Sequence, residues 1–206
     1  MASDEFLSIS ENQRVETKVE GSRFIAESFG LNSREQAQEA TDAIRKREHR
    51  ATHHCSAYRI GEDKNTFYYD DDGEPSGTAG QPILRQIDGR DLTNVLVVVT
   101  RYYGGVKLGT GGLVRAYGDA ASRVLDESGV TTHVRRRPVS ITFGYEDTAA
   151  VEQLLDRFDV EKRDAEYTDV TRLHLGIRTS NVEKFVTAFT NQLGRRGTAK
   201  LPDEGG

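Results

Sequence analysis

"NVLVVVTRYYGGVKLGTGGLVRAYGDAASRVLDESG", Asn94 to Gly129, joins a valine run, a glycine-rich link and an apolar-periodic tail. The run Val95–Val99 is continuous rather than alternating, which predicts a strand covered on both faces. Leu113, Ala116, Tyr117, Ala120, Val124 and Leu125 recur at helical spacing, and Gly129 predicts the helix stop. Between strand and helix, six of the nineteen residues from Thr100 to Gly118 are glycine. Glycine loses more backbone freedom on folding than any other residue, so the link needs a backbone only glycine allows. Two uses are open at this point. The glycines permit a close approach of loop and helix to the sheet, or they present backbone amides to an anion at a helix N-terminus.

Two phosphate-binding patterns fail here. Gly104 and Gly109 have the separation of a P-loop, but Thr110-Gly111 follows where Lys-Ser/Thr is required. Gly109 and Gly111 begin a dinucleotide fingerprint, but Val114 stands where its last glycine belongs. The chemistry behind those patterns still applies. The amides near Gly111 and Gly112 favour an anion, and Arg101, Lys107 and Arg115 lie close in sequence. Tyr102 and Tyr103 offer flat faces for stacking.

Outward from this stretch, "RVETKVEGSRFIAESFG" reads as two strands turning at Gly21-Ser22. "NSREQAQEATDAIRKREHR" reads as a helix, with Ser33 and Gln36 at capping-box spacing and Arg45, Lys46 and Arg47 in the last turn. "HCSAYRI" and "NTFYYD" read as paired strands, and "AGQPILRQI" as a short helix with Pro82 in its first turn. In the loop "DDDGEPSGTAGQP", Gly73, Pro75 and Gly77 favour tight turns, and Ser76 and Thr78 are expected to cap the following helix. Asp70, Asp71, Asp72 and Glu74 carry oxygen ligands, but their spacing is not that of a calcium loop. In "ATHHCSAY", strand alternation puts only His53 and Cys55 on one face, two ligands short of a zinc site. No metal, cofactor or catalytic residue is therefore assigned.

A boundary is expected near "THVRRRP". Beyond it the order is strand, helix, strand, strand, helix, with "GTAKL" as a short last strand, a ferredoxin-like pattern. Val151, Leu154, Leu155 and Phe158 align on one helix, and Val182, Phe185, Val186 and Phe189 on the next, where Ser180 and Glu183 have capping-box spacing. In "RLHLGIR", Leu173, Leu175 and Ile177 are expected to face the helices, leaving Arg172, His174 and Arg178 on the open face.

The chain of 206 residues has a net charge of −5, and 21 of its 28 basic residues are arginine. Residues 138–206 carry nine basic and twelve acidic groups, and the rest nineteen and twenty-one. Neither part is basic, so a nucleic-acid site must be a local patch. A single cysteine excludes an intrachain disulfide. No apolar run approaches the roughly 20 residues that span a membrane, and the acidic start lacks a signal-peptide core. The expected location is the cytoplasm, with no membrane contact.

Four stretches together resemble the IMPACT family in its YigZ-like prokaryotic form: "SRFIA" (22–26), "HHCSAYRIG" (53–61), "DDGEPSGTAGQPIL" (71–84) and "VVVTRYYGGVKLGTGGLVRAYGDA" (97–120). The resemblance implies an α+β protein of two domains. Residues 1–134 form an N-terminal domain akin to domain 2 of a ribosomal small-subunit protein and to RNase PH-like folds. Residues 135–206 form a ferredoxin-like domain resembling domain V of elongation factor G. It implies regulation of translation, the role of eukaryotic relatives, through RNA or the ribosome or through a protein partner in translation control. The expected anion or nucleic-acid groove comprises Arg101, Tyr102, Gly104, Gly105, Lys107, Gly109, Gly111, Gly112 and Arg115. Asp72, Glu74, Ser76 and Thr78 form the expected opposite wall. Two alternatives stay open: an enzyme acting on a phosphorylated or nucleotide-like ligand in the same groove, and a protein-interaction adaptor.

Overall fold

The computed structural model describes residues 4–201. The chain divides into two compact units, Phe6–His133 and a second made of Asp4, Glu5 and the residues from Val134 onward. In chain order the elements are β1 (Glu5–Ile9), β2 (Gln13–Val19), β3 (Ser22–Gly30), α1 (Arg34–Arg47), β4 (His53–Ile60), β5 (Thr66–Asp70), α2 (Gly80–Gly89), β6 (Val95–Tyr102), α3 (Gly109–Ser128) and β7 (Val130–Val134). There follow β8 (Arg136–Phe143), α4 (Thr148–Leu155), β9 (Val160–Tyr167), β10 (Thr171–Arg178), α5 (Val182–Leu193) and β11 (Gly197–Lys200). The architecture is mixed α/β. The strands β1 and β7, which form a two-stranded sheet, had no counterpart in the sequence reading, because neither alternates cleanly.

The first unit is built on an antiparallel sheet in the order β2-β3-β6-β4-β5. The central β6 explains its own composition. Val95, Val97 and Val99 enter a core with α2 and α3, while Leu96 and Val98 enter a second core with Leu31, Ala37 and Ile44 at α1. A strand between two helical layers buries both sets of alternating side chains and needs no polar face. The β2–β3 hairpin turns through Glu20 and Gly21, both at positive φ (44° and 79°). That is the pattern of a two-residue turn matched to strand twist.

Helix α1 starts where expected. Ser33 Oγ accepts from Gln36 N at 3.3 Å, and Gln36 Oε1 accepts from Asn32 N at 2.9 Å. Helix α2 is capped differently from the expectation. Ser76 and Thr78 do not cap it; Asp71 Oδ1, reaching from before the turn, accepts from Ala79 N (3.0 Å) and Gly80 N (2.8 Å). Thr78 instead turns its hydroxyl back to Pro75 O at 2.6 Å.

In the second unit the sheet order is β11-β8-β10-β9, all antiparallel. Strand β10 lies between β8 and β9, and β8 between β10 and β11, so the two strand–helix–strand passages interleave. Val139, Ile141, Leu173, Leu175 and Ile177 pack under Val151, Leu154, Phe185 and Phe189. Two helix starts differ from expectation. A 3-10 turn, Tyr145–Asp147, precedes α4. Another, Thr179–Asn181, precedes α5, and Ser180 there bonds Asp4 rather than capping. On the open face Arg172 meets Glu166 at 3.0 Å and Arg178 meets Asp159 at 2.8 Å.

Candidate functional site

Arg101 sits near the end of β6, paired in register with Phe24 on β3 and His53 on β4. Its side chain is buried. A buried guanidinium must find partners, and this one finds two. Nη1 donates to Glu74 Oε1 at 2.6 Å, and Nη2 donates to Ser22 Oγ at 3.3 Å. The Tyr117 hydroxyl donates to the same Glu74 oxygen at 2.7 Å. Burial pushes the Tyr117 phenol and the Cys55 thiol well up, so both stay protonated. The guanidinium also lies 5.5 Å from the rings of Phe24 and Tyr103.

The acidic loop is tied down by the same region. His53 Nδ1 contacts Asp72 O at 2.7 Å, and its Nε2 is 3.8 Å from Glu74 Oε1. Cys55 Sγ donates to Asp71 O at 3.1 Å. His54 points to the other sheet face, where its Nε2 lies 3.2 Å from Glu48 O. Asp72 accepts from His54 N (2.6 Å) and from Arg45 (2.8 Å). Asp72 and Glu74 are thus committed to a main-chain donor, arginines and the Tyr117 hydroxyl. Among the described residues, no group of three or more His, Cys, Asp or Glu is placed to hold a metal ion.

The glycines divide by reason. A Cβ on Gly104 would lie 1.9 Å from the Gly21 carbonyl carbon, so only glycine lets this loop cross the β2–β3 turn. Gly104 N also donates to Ser22 Oγ at 3.2 Å, which ties the loop to Arg101 through one serine. Gly105 and Gly109 hold φ of 89° and 67°. Gly111 has neither reason: its φ is ordinary and a Cβ there would meet nothing within 4 Å.

Helix α3 opens at Gly109, with no side-chain cap and no acidic residue in its first turn. Beside it lies a cleft of about 380 Å³ lined by Lys107, Arg115, Gly112, Glu20 and Asp119 among others. Lys107 and Arg115 have no hydrogen-bond or ion-pair partner among the described residues. The residues expected to form one groove therefore fall into two groups. Lys107, Arg115 and Gly112 share the cleft, while Gly105 stays exposed in the loop and Gly109 and Gly111 in the first turn of α3. Arg101 lies inside, paired to Glu74, and Thr78 is buried. Ser76 is exposed and Asp72 is paired with Arg45; neither lines the cleft. Tyr102 donates to Glu48 Oε2 at 2.8 Å, with Arg23 stacked 4.3 Å from its ring, whereas Tyr103 is exposed. Burial raises Glu48, but Tyr102, Arg47 and Arg14 together outweigh it and hold the carboxyl below its ordinary value.

Sequence reading missed Ser22 and Tyr117 as partners. The signal for Tyr117 was present: a tyrosine inside an apolar helical stripe still needs a partner for its hydroxyl.

Comparison with known proteins gives these contacts a family context. A model of the Impact N-terminal domain matches residues 20–125, the span holding all four motifs. The chain belongs to the IMPACT family. A second model, a domain of unknown function (DUF1949), matches residues 141–194. The IMPACT family member YvyE of Bacillus subtilis is 35% identical over 90% of this chain and 87% of its own. YigZ of Escherichia coli is 34% identical over 82% of this chain and 83% of its own. Protein IMPACT of Mus musculus is 50% identical over 62 residues, 29% of this chain but only 19% of that protein. A solved structure titled only as a hypothetical protein superposes with a TM-score of 0.72 at 28% identity, covering 99% of this chain and all of its own. In this IMPACT chain each motif places a residue at the buried arginine: Ser22, His53, Glu74, and Arg101 with Tyr117.

Proposed function

We propose that this protein is a non-catalytic, translation-associated regulator that binds RNA, on or off the ribosome, through the loop Gly104–Gly112. Lys107 and Arg115 contact phosphates, the amides of the first turn of α3 receive one, and Tyr103 offers a base-stacking face. The observation that carries the reading is the cleft beside α3. An uncapped helix start with no acidic residue is flanked there by two cations without partners. Membership in the IMPACT family supports the link to translation. The reading assigns an RNase PH-like class to the first unit and a ferredoxin-like class to the second, the latter supported by its interleaved strand order.

The competing enzymatic reading has less support. Its nearest base, Glu74, already accepts from Arg101 and Tyr117 through one oxygen. The test is sedimentation with ribosomes of the host, and titration with single-stranded RNA, for wild type and Lys107→Ala/Arg115→Ala. The salt slope of RNA binding should fall by about 1.4 when two phosphate contacts are lost. Wild type that neither co-sediments nor binds RNA refutes the reading.

A further inference from the structure

The two faces of the sheet β2-β3-β6-β4-β5 are covered unequally. Helices α2 and α3 pack over one face, while α1 alone packs over the other, through Ala37 and Ile44 against Leu96 and Val98. Between α1 and the strands β4 and β5, that second face opens into a cleft of about 780 Å³. The volume lies within the range of small-molecule sites. The cleft of Lys107 and Arg115 belongs to α3 and so to the opposite face.

Ser56 and Tyr58 lie opposite Val98 and Leu96 in the register and share their face of the sheet. Ser56 is only 5% exposed, yet its hydroxyl has no hydrogen-bond partner among the described residues. A hydroxyl withdrawn from water without a partner costs free energy, and this one lines the cleft. Most polar side chains around it are engaged. Thr41 donates back to Ala37 O at 2.8 Å, and Arg45 pairs with Asp70 and Asp72. Gln38 Nε2 donates to Asp42 at 3.0 Å, leaving Oε1 to accept. One wall is aromatic: Tyr68 is 50% exposed and stacks on Tyr58 at 5.6 Å. Burial, reinforced by Asp70, pushes the Tyr68 phenol up, so it stays neutral.

We infer that this cleft binds an uncharged ribonucleoside, its base on Tyr68 and against Ser56, its ribose at the carboxylates of α1. Each part of that ligand answers a group the protein leaves open. A base has a flat face that stacks on an aromatic side chain. It also has a hydrogen-bonding edge, which Ser56 Oγ and Gln38 Oε1 can meet. Glu35 and Glu39 line the cleft as well. Hydrogen bonds from its own amide and from Ser33 hold the Glu35 carboxyl below its ordinary value, and Glu39 has no partner among the described residues. A carboxylate is the side chain that takes ribose hydroxyls. Charge selects the nucleoside over the nucleotide. Three carboxylates, Glu35, Glu39 and Asp70, line the cleft against two guanidiniums, Arg34 and Arg45, a balance of one negative charge. A phosphate is repelled there, which excludes a nucleotide and the backbone of an RNA strand.

The test is equilibrium dialysis of the full chain against adenosine, guanosine, cytidine and uridine, each up to about 1 mM. At least one should be retained. Its deoxy form should be held less well, and its monophosphate at least about threefold less well at low salt. Tyr68→Ala should weaken binding at least about fivefold, and Ser56→Ala by about 2- to 10-fold. Because the Ser56 hydroxyl has no protein partner, Ser56→Ala should not lower the urea midpoint, which separates a ligand contact from a structural one. RNA binding through Lys107 and Arg115 should be unmoved by either variant, so this inference and the proposed function fail independently. No retention of any of the four ribonucleosides overturns the inference. So does a monophosphate held as tightly as its nucleoside, binding that survives both variants, or retention of spermidine alone.

Discussion

Glu74→Gln removes one charge and almost no volume from the interior of the first unit. The carboxylate and the Arg101 guanidinium are 4% and 6% exposed and meet at 2.6 Å. The amide oxygen of glutamine can still accept from Arg101 and Tyr117, so the hydrogen bonds survive in form. What is lost is the counter-charge of a guanidinium already deprived of water. Removing one partner of a buried pair costs about 3–5 kcal/mol. At roughly 3 °C per kcal/mol for a chain of this size, the melting temperature should fall by about 9–15 °C. Urea unfolding followed by circular dichroism measures the loss directly. The control is Arg101→Met/Glu74→Gln, which removes the stranded charge while glutamine still accepts from Tyr117. It should regain at least about 2 kcal/mol over the sum of the single changes. A Glu74→Gln loss under about 1 kcal/mol, or strict additivity in the double variant, refutes the view that ion pairing holds these loops together.

Three further outcomes follow from the geometry. Gly104→Ala forces a Cβ into the Gly21 backbone and should cost about 2–3 kcal/mol by thermal or urea unfolding. Gly111→Ala meets nothing and should stabilise by about 0.5–1 kcal/mol, so equal effects at the two sites contradict the assignment. Asp71→Ala leaves the amides of Ala79, Gly80 and Gly77 without their acceptor and should cost about 2 kcal/mol, measurable as a shifted urea midpoint. His54 is held below its ordinary value of 6.5, chiefly by burial, against the pull of Asp72. The unfolded chain then binds the proton first, so this contribution is complete above about pH 6.5 and is lost as pH falls towards the depressed folded value. Urea midpoints at about pH 7.5 and 5.5 should converge in His54→Gln relative to wild type; an identical pH dependence excludes His54 as a source.

Periodicity and turn chemistry are local, and what depends on them was legible in the sequence. The doubly covered β6 follows from five consecutive apolar residues, the α1 start from Ser33 and Gln36, and both helices of the second unit from the spacing of Val151, Leu154, Phe185 and Phe189. The presence of an unusual backbone at Gly104–Gly112 was legible too, because glycine is costly without a reason. The reason itself was not. Gly104 is fixed by a turn 83 positions away at Gly21. Arg101 read as a surface cation because a side chain's burial depends on what packs over it, and Glu74, Ser22 and Tyr117 come from three other segments. Likewise Asp71 caps α2 only because the loop folds back, and Ser180 does not cap α5 because it lies inside a 3-10 turn, Thr179–Asn181, that precedes the helix. Apart from β1 and β7, the sequence by itself determined which segments form strands and helices and which faces they bury. Only the tertiary structure decided which charges stay in water, because pairing and desolvation are set by neighbours that chain order does not reveal.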